Sequence, residues 1–278
     1  MSNKGLGPIR QRIQEYNRMK FETIKYEKKG KIAIVTLNRE KVYNAINGLC
    51  RDELQKTLDD SAGDGAVHAL IITGHENFFC AGADINEVLG LENAILANQF
   101  SRNFQKLFQN IEEHKKPVLA AVSGFALGGG FELALACDVR ILSENSSFGF
   151  SEINIGAFPA GGGTQKLPRL IGAARAKELL FTGDKLSSQE AYALGLANNV
   201  VPDGECLKET IKWAEKLTSK SPSAISAIKQ LVNTGLNMDL NSSLIFESET
   251  FGSLSTHRDF KEGVSAFLDK RKPVYRGD

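Results

Sequence analysis

A chain of 278 residues that is 42% hydrophobic and 24% charged, with a net charge of +1, has an ordinary globular mix, which excludes disorder and collagen-like repeats. Its apolar runs break well short of membrane-spanning length, and its start lacks the charged, apolar and small-residue sections of a secretory signal, so a soluble intracellular protein is expected. The near-neutral total conceals a basic start: Met1 to Lys31 carry nine Lys and Arg against three Glu, a balance of +6, which leaves −5 for the remainder. Solvated charge is the expected use of that segment, and no nucleic-acid partner follows from it.

Residues 1–18 read as an extension, with a short helix over IRQRIQEYNRM. FETIKYE and KIAIVTL then read as paired strands about a KKGK turn. Ile46, Cys50, Leu54 and Leu58 recur every four residues and predict one helix face. HALIITG reads as a buried strand, and Phe100, Phe104, Leu107, Phe108 and Ile111 mark a long amphipathic helix. PVLAAVSG predicts another buried strand before the glycine turn and helix of GFALGGGFELALACD, and VRILS and SSFGF predict two more strands. This alternation points to α/β packing around a core sheet. Beyond residue 171 strands nearly vanish. Ser187 and Glu190 form a capping box with Gly195 as the stop, and Ser221 followed by Pro222 starts another helix, so the last hundred residues read as a helical layer.

Cys50, Cys80, Cys137 and Cys206 are far apart, each beside apolar sequence, and read as reduced thiols acting as small hydrophobes. His68, His75, His114 and His257 never fall at i, i+4 spacing or beside paired cysteines, so no metal is expected. Trp213 reads as core.

Three loops rich in small residues each follow a strand: FFCAGADINEV (78–88), GFALGGGFELAL (124–135) and FGFSEINIGAFPAGGGTQ (148–165). Small residues let a ligand approach the backbone, and a helix starting directly after adds free N–H groups. Two such loops meeting can offer two amides to one oxygen that becomes negative, an oxyanion hole. Known glycine-rich nucleotide motifs fail on detail: GGGFEL has leucine where a dinucleotide fingerprint has glycine or alanine, and GGGTQK lacks the P-loop lysine placement. No Gly-x-Ser-x-Gly elbow is present either. Glu132 and Glu152 remain as proton carriers, able to divide acid and base duties if their surroundings shift their pKa values apart. Taken singly, each is more often a solvated residue, Asp84 is a natural cap for the helix over INEV, Lys270 belongs to a solvated helix end, and Phe267 is equally core packing.

Together FCAGADI, KPVLAAVSGFALGGGFELALACD and SEINIGAFPAGGGTQKLPRLIG resemble the enoyl-CoA hydratase/isomerase, or crotonase, superfamily, and within it a short-chain enoyl-CoA hydratase. The likeness runs from about Phe21 to the carboxyl end and includes LFTGDKLSSQEAYALGLANNVVP and EGVSAFLDKRKP. It implies a spiral core of β-β-α repeats over 19–200 and a helical region over 201–278 that builds a homotrimer, commonly doubled to a hexamer. It further implies the amides of Ala83 and Gly129 as the oxyanion hole, Glu132 activating water and Glu152 delivering a proton to the α-carbon. Its substrate-binding residues are Lys41, Ala81, Asp84, Ile85, Ala160, Phe267 and Lys270, the last two reaching another subunit's site. The implied reaction adds water across the 2,3 double bond of a trans-2-enoyl-CoA thioester. It needs no cofactor, coenzyme A being part of the substrate. Three positions depart from the pattern: Asn86 stands where many hydratases have lysine, Ala160 where glycine is common, and Ser151 where proline is usual. Isomerisation of the double bond, hydration of branched, cyclic or dienoyl thioesters, and RNA or protein binding through the basic start remain alternatives. A cytoplasmic location is expected, with a mitochondrial one left open.

Overall fold

The computed structural model describes residues 20–277, so the expected extension and its short helix lie outside the described residues. β1 (Ile24–Lys29) and β2 (Ile32–Leu37) form a hairpin that turns at Gly30, φ +60°, with Ile24 opposite Leu37. A 3-10 turn (Glu40–Val42) leads to α1 (Gly48–Gly63), capped by Asn47, whose side chain accepts from the Cys50 amide. Cys50, Leu54 and Leu58 form the buried face expected of that helix. Ile46 does not belong to it: the residue is extended and forms a single bridge with Ala83.

The chain then alternates between two sheets. β3 (Ala69–Thr73) is followed by β4 (Phe78–Cys80), α2 (Ile85–Leu89) and α3 (Ala94–Glu112). β5 (Val118–Val122) is followed by β6 (Phe125–Leu127) and α4 (Gly129–Ala136). β7 (Val139–Ser143) and β8 (Ser147–Gly149) precede a 3-10 turn (Ser151–Ile155) and α5 (Gly163–Ile171). The odd-numbered strand of each pair enters a six-stranded sheet, β1-β2-β3-β5-β7-β10 with β10 at Asn199–Val201, and its successor enters a four-stranded one, β4-β6-β8-β9 with β9 at Leu186–Ser187. Three turns of strand, strand and helix thus wind as a spiral. β4, β6 and β8 are mutually parallel, with Phe78 beside Phe125 and Leu127 beside Gly149. Their carboxyl ends therefore open at one edge, and the three small-residue loops emerge together there.

The larger sheet is apolar on both faces, as parallel strands covered on both sides must be. Val35, Leu70, Ile72, Ala120 and Val122 face α1, α3 and α4, whereas Ile34, Ile71, Leu119 and Ile141 face α8 (Cys206–Thr218). Trp213 is half-buried at the margin of this second core. All four cysteines are buried and unpaired, as expected of thiols used as hydrophobes.

After α6 (Ala173–Thr182) strands nearly vanish, as expected, and two short ones remain. β9 (Leu186–Ser187) pairs antiparallel with β8, and β10 (Asn199–Val201) adds to the edge of the larger sheet beside β7. Two and three residues are too few for a readable alternation. Between them α7 (Ser188–Ala193) carries the expected capping box, with Ser187 and Glu190 each bonded to the other's backbone. The carboxyl end consists of α9 (Pro222–Gly235), α10 (Leu240–Ser255) and α11 (Arg258–Leu268). Ser221 caps α9 with Pro222 behind it, as its sequence predicts. α9 is pinned to the core by the Lys229 ammonium, which donates to the Asp138 carboxylate at 2.7 Å and the Ile111 carbonyl at 3.0 Å. Among the described residues no helix is long and apolar enough to cross a membrane.

Every residue of α4 is buried, so the carbonyls at its carboxyl end cannot turn to water. Arg140 supplies donors there: its guanidinium bonds the Ala134 and Cys137 carbonyls at 3.3 and 2.6 Å, and also the Leu196 carbonyl from beyond α7 at 2.6 Å. A cation at this end also complements the helix dipole. Arg140→Met, which keeps much of the volume but leaves the buried Cys137 and Leu196 carbonyls without their donor, is expected to lower unfolding free energy by about 2–4 kcal/mol in urea titrations.

Candidate active site

The first loop leaves β4 through Ala81, Gly82 and Ala83, with Gly82 at φ +108°. Ile46 clamps it from the side, donating to the Gly82 carbonyl at 2.7 Å and accepting from the Asp84 amide at 3.0 Å. The Ala83 amide between them turns the other way and has no acceptor among the described residues. Asp84 then caps α2 as expected, accepting from the Asn86 amide at 3.1 Å and from Arg39 Nη1 at 2.9 Å. Burial would raise its carboxyl, but Arg39 and Asn86 together hold it below the ordinary carboxylate value.

The second loop leaves β6 through Gly128, φ +50°, into Gly129, the first residue of α4. An amide at this position has no partner within the helix and lies at the positive end of its dipole. The two loops touch through their glycines. A Cβ on Gly82 would lie 3.2 Å from the Gly129 nitrogen, and one on Gly129 would lie 3.3 Å from the Ala83 nitrogen. Two unpaired amides are thereby brought side by side.

Glu132 stands one turn into α4, 3% exposed, and its Oε1 accepts from the Gly163 amide at 2.7 Å. Burial pushes its carboxyl up to about 7; the Gly163 and Gly161 amides oppose the rise, and the neighbouring Glu152 charge adds to it. Glu152 lies on the 3-10 turn after β8, half-buried, and burial raises its carboxyl as well. Its Oε2 is buried without a hydrogen-bond partner among the described residues. Each acid rests against a bare glycine. A Cβ on Gly161 would come within 2.5 Å of Glu132 Oε2, and one on Gly128 within 2.5 Å of Glu152 Oε1.

Both amides and both carboxylates line one cavity of about 910 Å³. Ala81, Asp84, Ile85 and Ala160 line it too, as the sequence reading expects of substrate-binding positions. Lys41 does not, although its neighbour Val42 does. Phe267, 84% exposed at the end of α11, and Lys270 just beyond it are also absent from the lining of this chain's own cavity. The α3 wall, with Phe100, Ser101 and Phe104, was not anticipated. Ser101 lies one turn before Gln105, and this pair of polar residues beside an apolar stripe was its available signal. Among the described residues no group of three or more His, Cys, Asp or Glu is placed to hold a metal ion.

The raised Glu132 carboxyl has a stability consequence whose sign is opposite to that of a salt-bridged acid. Between the ordinary value of 4.5 and about 7 the folded chain holds this proton and the unfolded chain does not, so stability falls as pH rises through that window. Glu132→Gln removes this contribution. It is expected to raise unfolding free energy at pH 8 by roughly 1–3 kcal/mol and to leave it near the parent value at pH 4.5, in denaturation series across pH.

Comparison with known proteins identifies the family and the fold. A family model described as Enoyl-CoA hydratase/isomerase matches residues 27–278. The chain is 42% identical over 255 residues to a short-chain-enoyl-CoA hydratase of Clostridium acetobutylicum, covering 91% of this chain and 97% of that one. It is 43% identical over 255 residues to a crotonyl-CoA hydratase of Syntrophomonas wolfei, covering 91% and 98%. A crystal structure of an enoyl-CoA hydratase from Bacillus anthracis superposes with a TM-score of 0.88 at 37% identity, over 92% of this chain and all (100%) of that one. The spiral of strand, strand and helix is thus the crotonase fold, and the chain belongs to the enoyl-CoA hydratase/isomerase family.

Proposed function

We propose that this protein is an enoyl-CoA hydratase that adds water across the 2,3 double bond of trans-2-enoyl-CoA thioesters. The observation that carries the reading is the placement of two buried glutamates on one cavity with two unpaired backbone amides. In this reading the thioester oxygen accepts from the Ala83 and Gly129 amides. That polarises the conjugated system and makes the β-carbon electrophilic. Ionised Glu132 takes a proton from water as its oxygen bonds the β-carbon, and the electrons of the double bond move toward the thioester as an enolate held by the two amides. Protonated Glu152 then delivers its proton to the α-carbon. The product is a 3-hydroxyacyl-CoA, and the proton left on Glu132 returns to Glu152 through solvent.

Burial acts on both groups. A carboxyl raised to about 7 is a base of useful strength that is still ionised in a large fraction at neutral pH, and burial shifts the Glu152 carboxyl toward its protonated form. No cofactor enters beyond the coenzyme A carried by the substrate. We further propose that residues 19–200 act as the catalytic core and that the region over 201–278 assembles a homotrimer through α9 to α11. Ile228, Val232, Leu236, Ile245 and Phe251 stand exposed on those helices, an apolar surface of the kind that marks association. Such assembly accounts for Phe267 and Lys270 lying outside this chain's cavity, available to a neighbour's.

Hydration of crotonyl-CoA, followed by loss of the conjugated thioester absorbance, tests the activity. Glu132→Gln and Glu152→Gln are each expected to lower kcat by about 10²–10⁴-fold with KM little changed. A folded parent that binds the thioester without hydrating it would sink the reading. Gly161→Ala, whose methyl would displace Glu132 Oε2 and the Phe108 ring, is expected to lower kcat about 10²-fold in the same assay.

A further inference from the structure

The segment that faces Glu132 is Pro159 to Gly163, which contains three successive glycines, among them Gly162 at φ +124°. Such a segment has little conformational preference of its own. Its Gly163 amide nevertheless meets Glu132 Oε1 at 2.7 Å, and Gly161 packs against Oε2. Something must fix it. One carbonyl in the segment is held by side chains from another element: Ala160 O accepts from Ser101 Oγ at 2.8 Å and from Gln105 Nε2 at 3.0 Å. The two donors lie one turn apart on α3 and are themselves joined, Gln105 Nε2 to Ser101 Oγ, at 3.0 Å.

We infer that Gln105 and Ser101 are positioning residues for Glu132, acting through the Ala160 carbonyl to hold the Gly161 and Gly163 amides against its carboxylate. The inference rests on Glu132 serving as the base. Hydrogen bonds from amides favour the ionised form of a carboxyl, so a loosened segment leaves Glu132 harder to ionise. The other charged or titratable groups facing it are few. Glu152 comes from the 3-10 turn and Lys166 from α5, the latter paired with Glu112 of α3 at 2.6 Å. Cys80 of β4, packed beneath Gly130, is a thiol that burial pushes up to about 12 and keeps neutral. None of these bonds Ser101 or Gln105, so the anchor can be changed without altering the charges around Glu132.

The test is the pH profile of kcat for crotonyl-CoA hydration by the full chain and by Gln105→Leu, Ser101→Ala and Ser101→Thr. The limb on the acid side, set by ionisation of Glu132, is expected to move up by roughly half a unit to one unit in Gln105→Leu and Ser101→Ala. KM should stay within about twofold, and Ser101→Thr, which keeps the hydroxyl, should follow the parent. In a Glu132→Gln background Gln105→Leu should cause no further loss, since both act on one group. An inactive Glu132→Gln together with an unmoved acid limb in both anchor variants overturns the inference alone. A Glu132→Gln that keeps parent activity removes the base assignment, and the inference falls with it.

Discussion

Two carboxyl groups, Glu132 buried and Glu152 half-buried, press against glycines that leave no room for a Cβ, and the rest of the site is arranged around that contact. A carboxylate taken from water without compensation costs several kcal/mol, so a folded chain tolerates one only where donors are built in or where the group takes up a proton. For Glu132 the donors are backbone amides, and at both acids the approach is too close for any Cβ at Gly128 or Gly161. The glycines thus have a specific task. They let main chain, which cannot titrate or rotate away, stand where a side chain would otherwise intervene.

Delivery of those amides follows from the winding of the chain. Parallel neighbours in the smaller sheet send their loops out on the same side, so residues near 82, 128 and 152 meet although they are distant in sequence. α4 joins the two halves of the arrangement. Its carboxyl end is closed by the Arg140 guanidinium and its amino end is left open beside the cavity, so the buried helix has a single unsatisfied terminus. The open terminus is where a developing negative charge is best accommodated.

Much of this was legible because its signals are local. The capping box at Ser187 and Glu190 and the Ser221–Pro222 start need only adjacent residues, and the buried strands announce themselves by composition. The two glutamates of the candidate site stood out through their loops, and the Ala83 and Gly129 amides through the family resemblance. The features that stayed hidden share a different physics. Ile46 continues the four-residue spacing of α1, yet Asn47 starts the helix after it, and Ile46 serves the Ala83 bridge instead. The β10 segment is recognisable as strand only by its partner β7, 58 positions away from Ile141 at Asn199. Gln105 lies off the apolar stripe of its helix, and its acceptor is a carbonyl 55 residues distant. What escapes a sequence is the long-range partner of a polar group, since nothing in the local pattern distinguishes such a group from one bonded to water.

The four cysteines give the chain a built-in reporter. Burial pushes Cys50 and Cys206 up to about 11, and Cys80 and Cys137 up to about 12, so at pH 8 only on the order of one thiol in a thousand or fewer is a thiolate, and none is exposed. Thiol-directed electrophiles and oxidants therefore find no ready sulfhydryl in the intact fold. Cys80 sits beneath the first glycine loop, Cys137 at the end of α4 and Cys206 at the start of α8, which covers the opposite face of the sheet. The rate at which each sulfur is alkylated becomes a clock for the opening of its own layer, read without any label added to the protein.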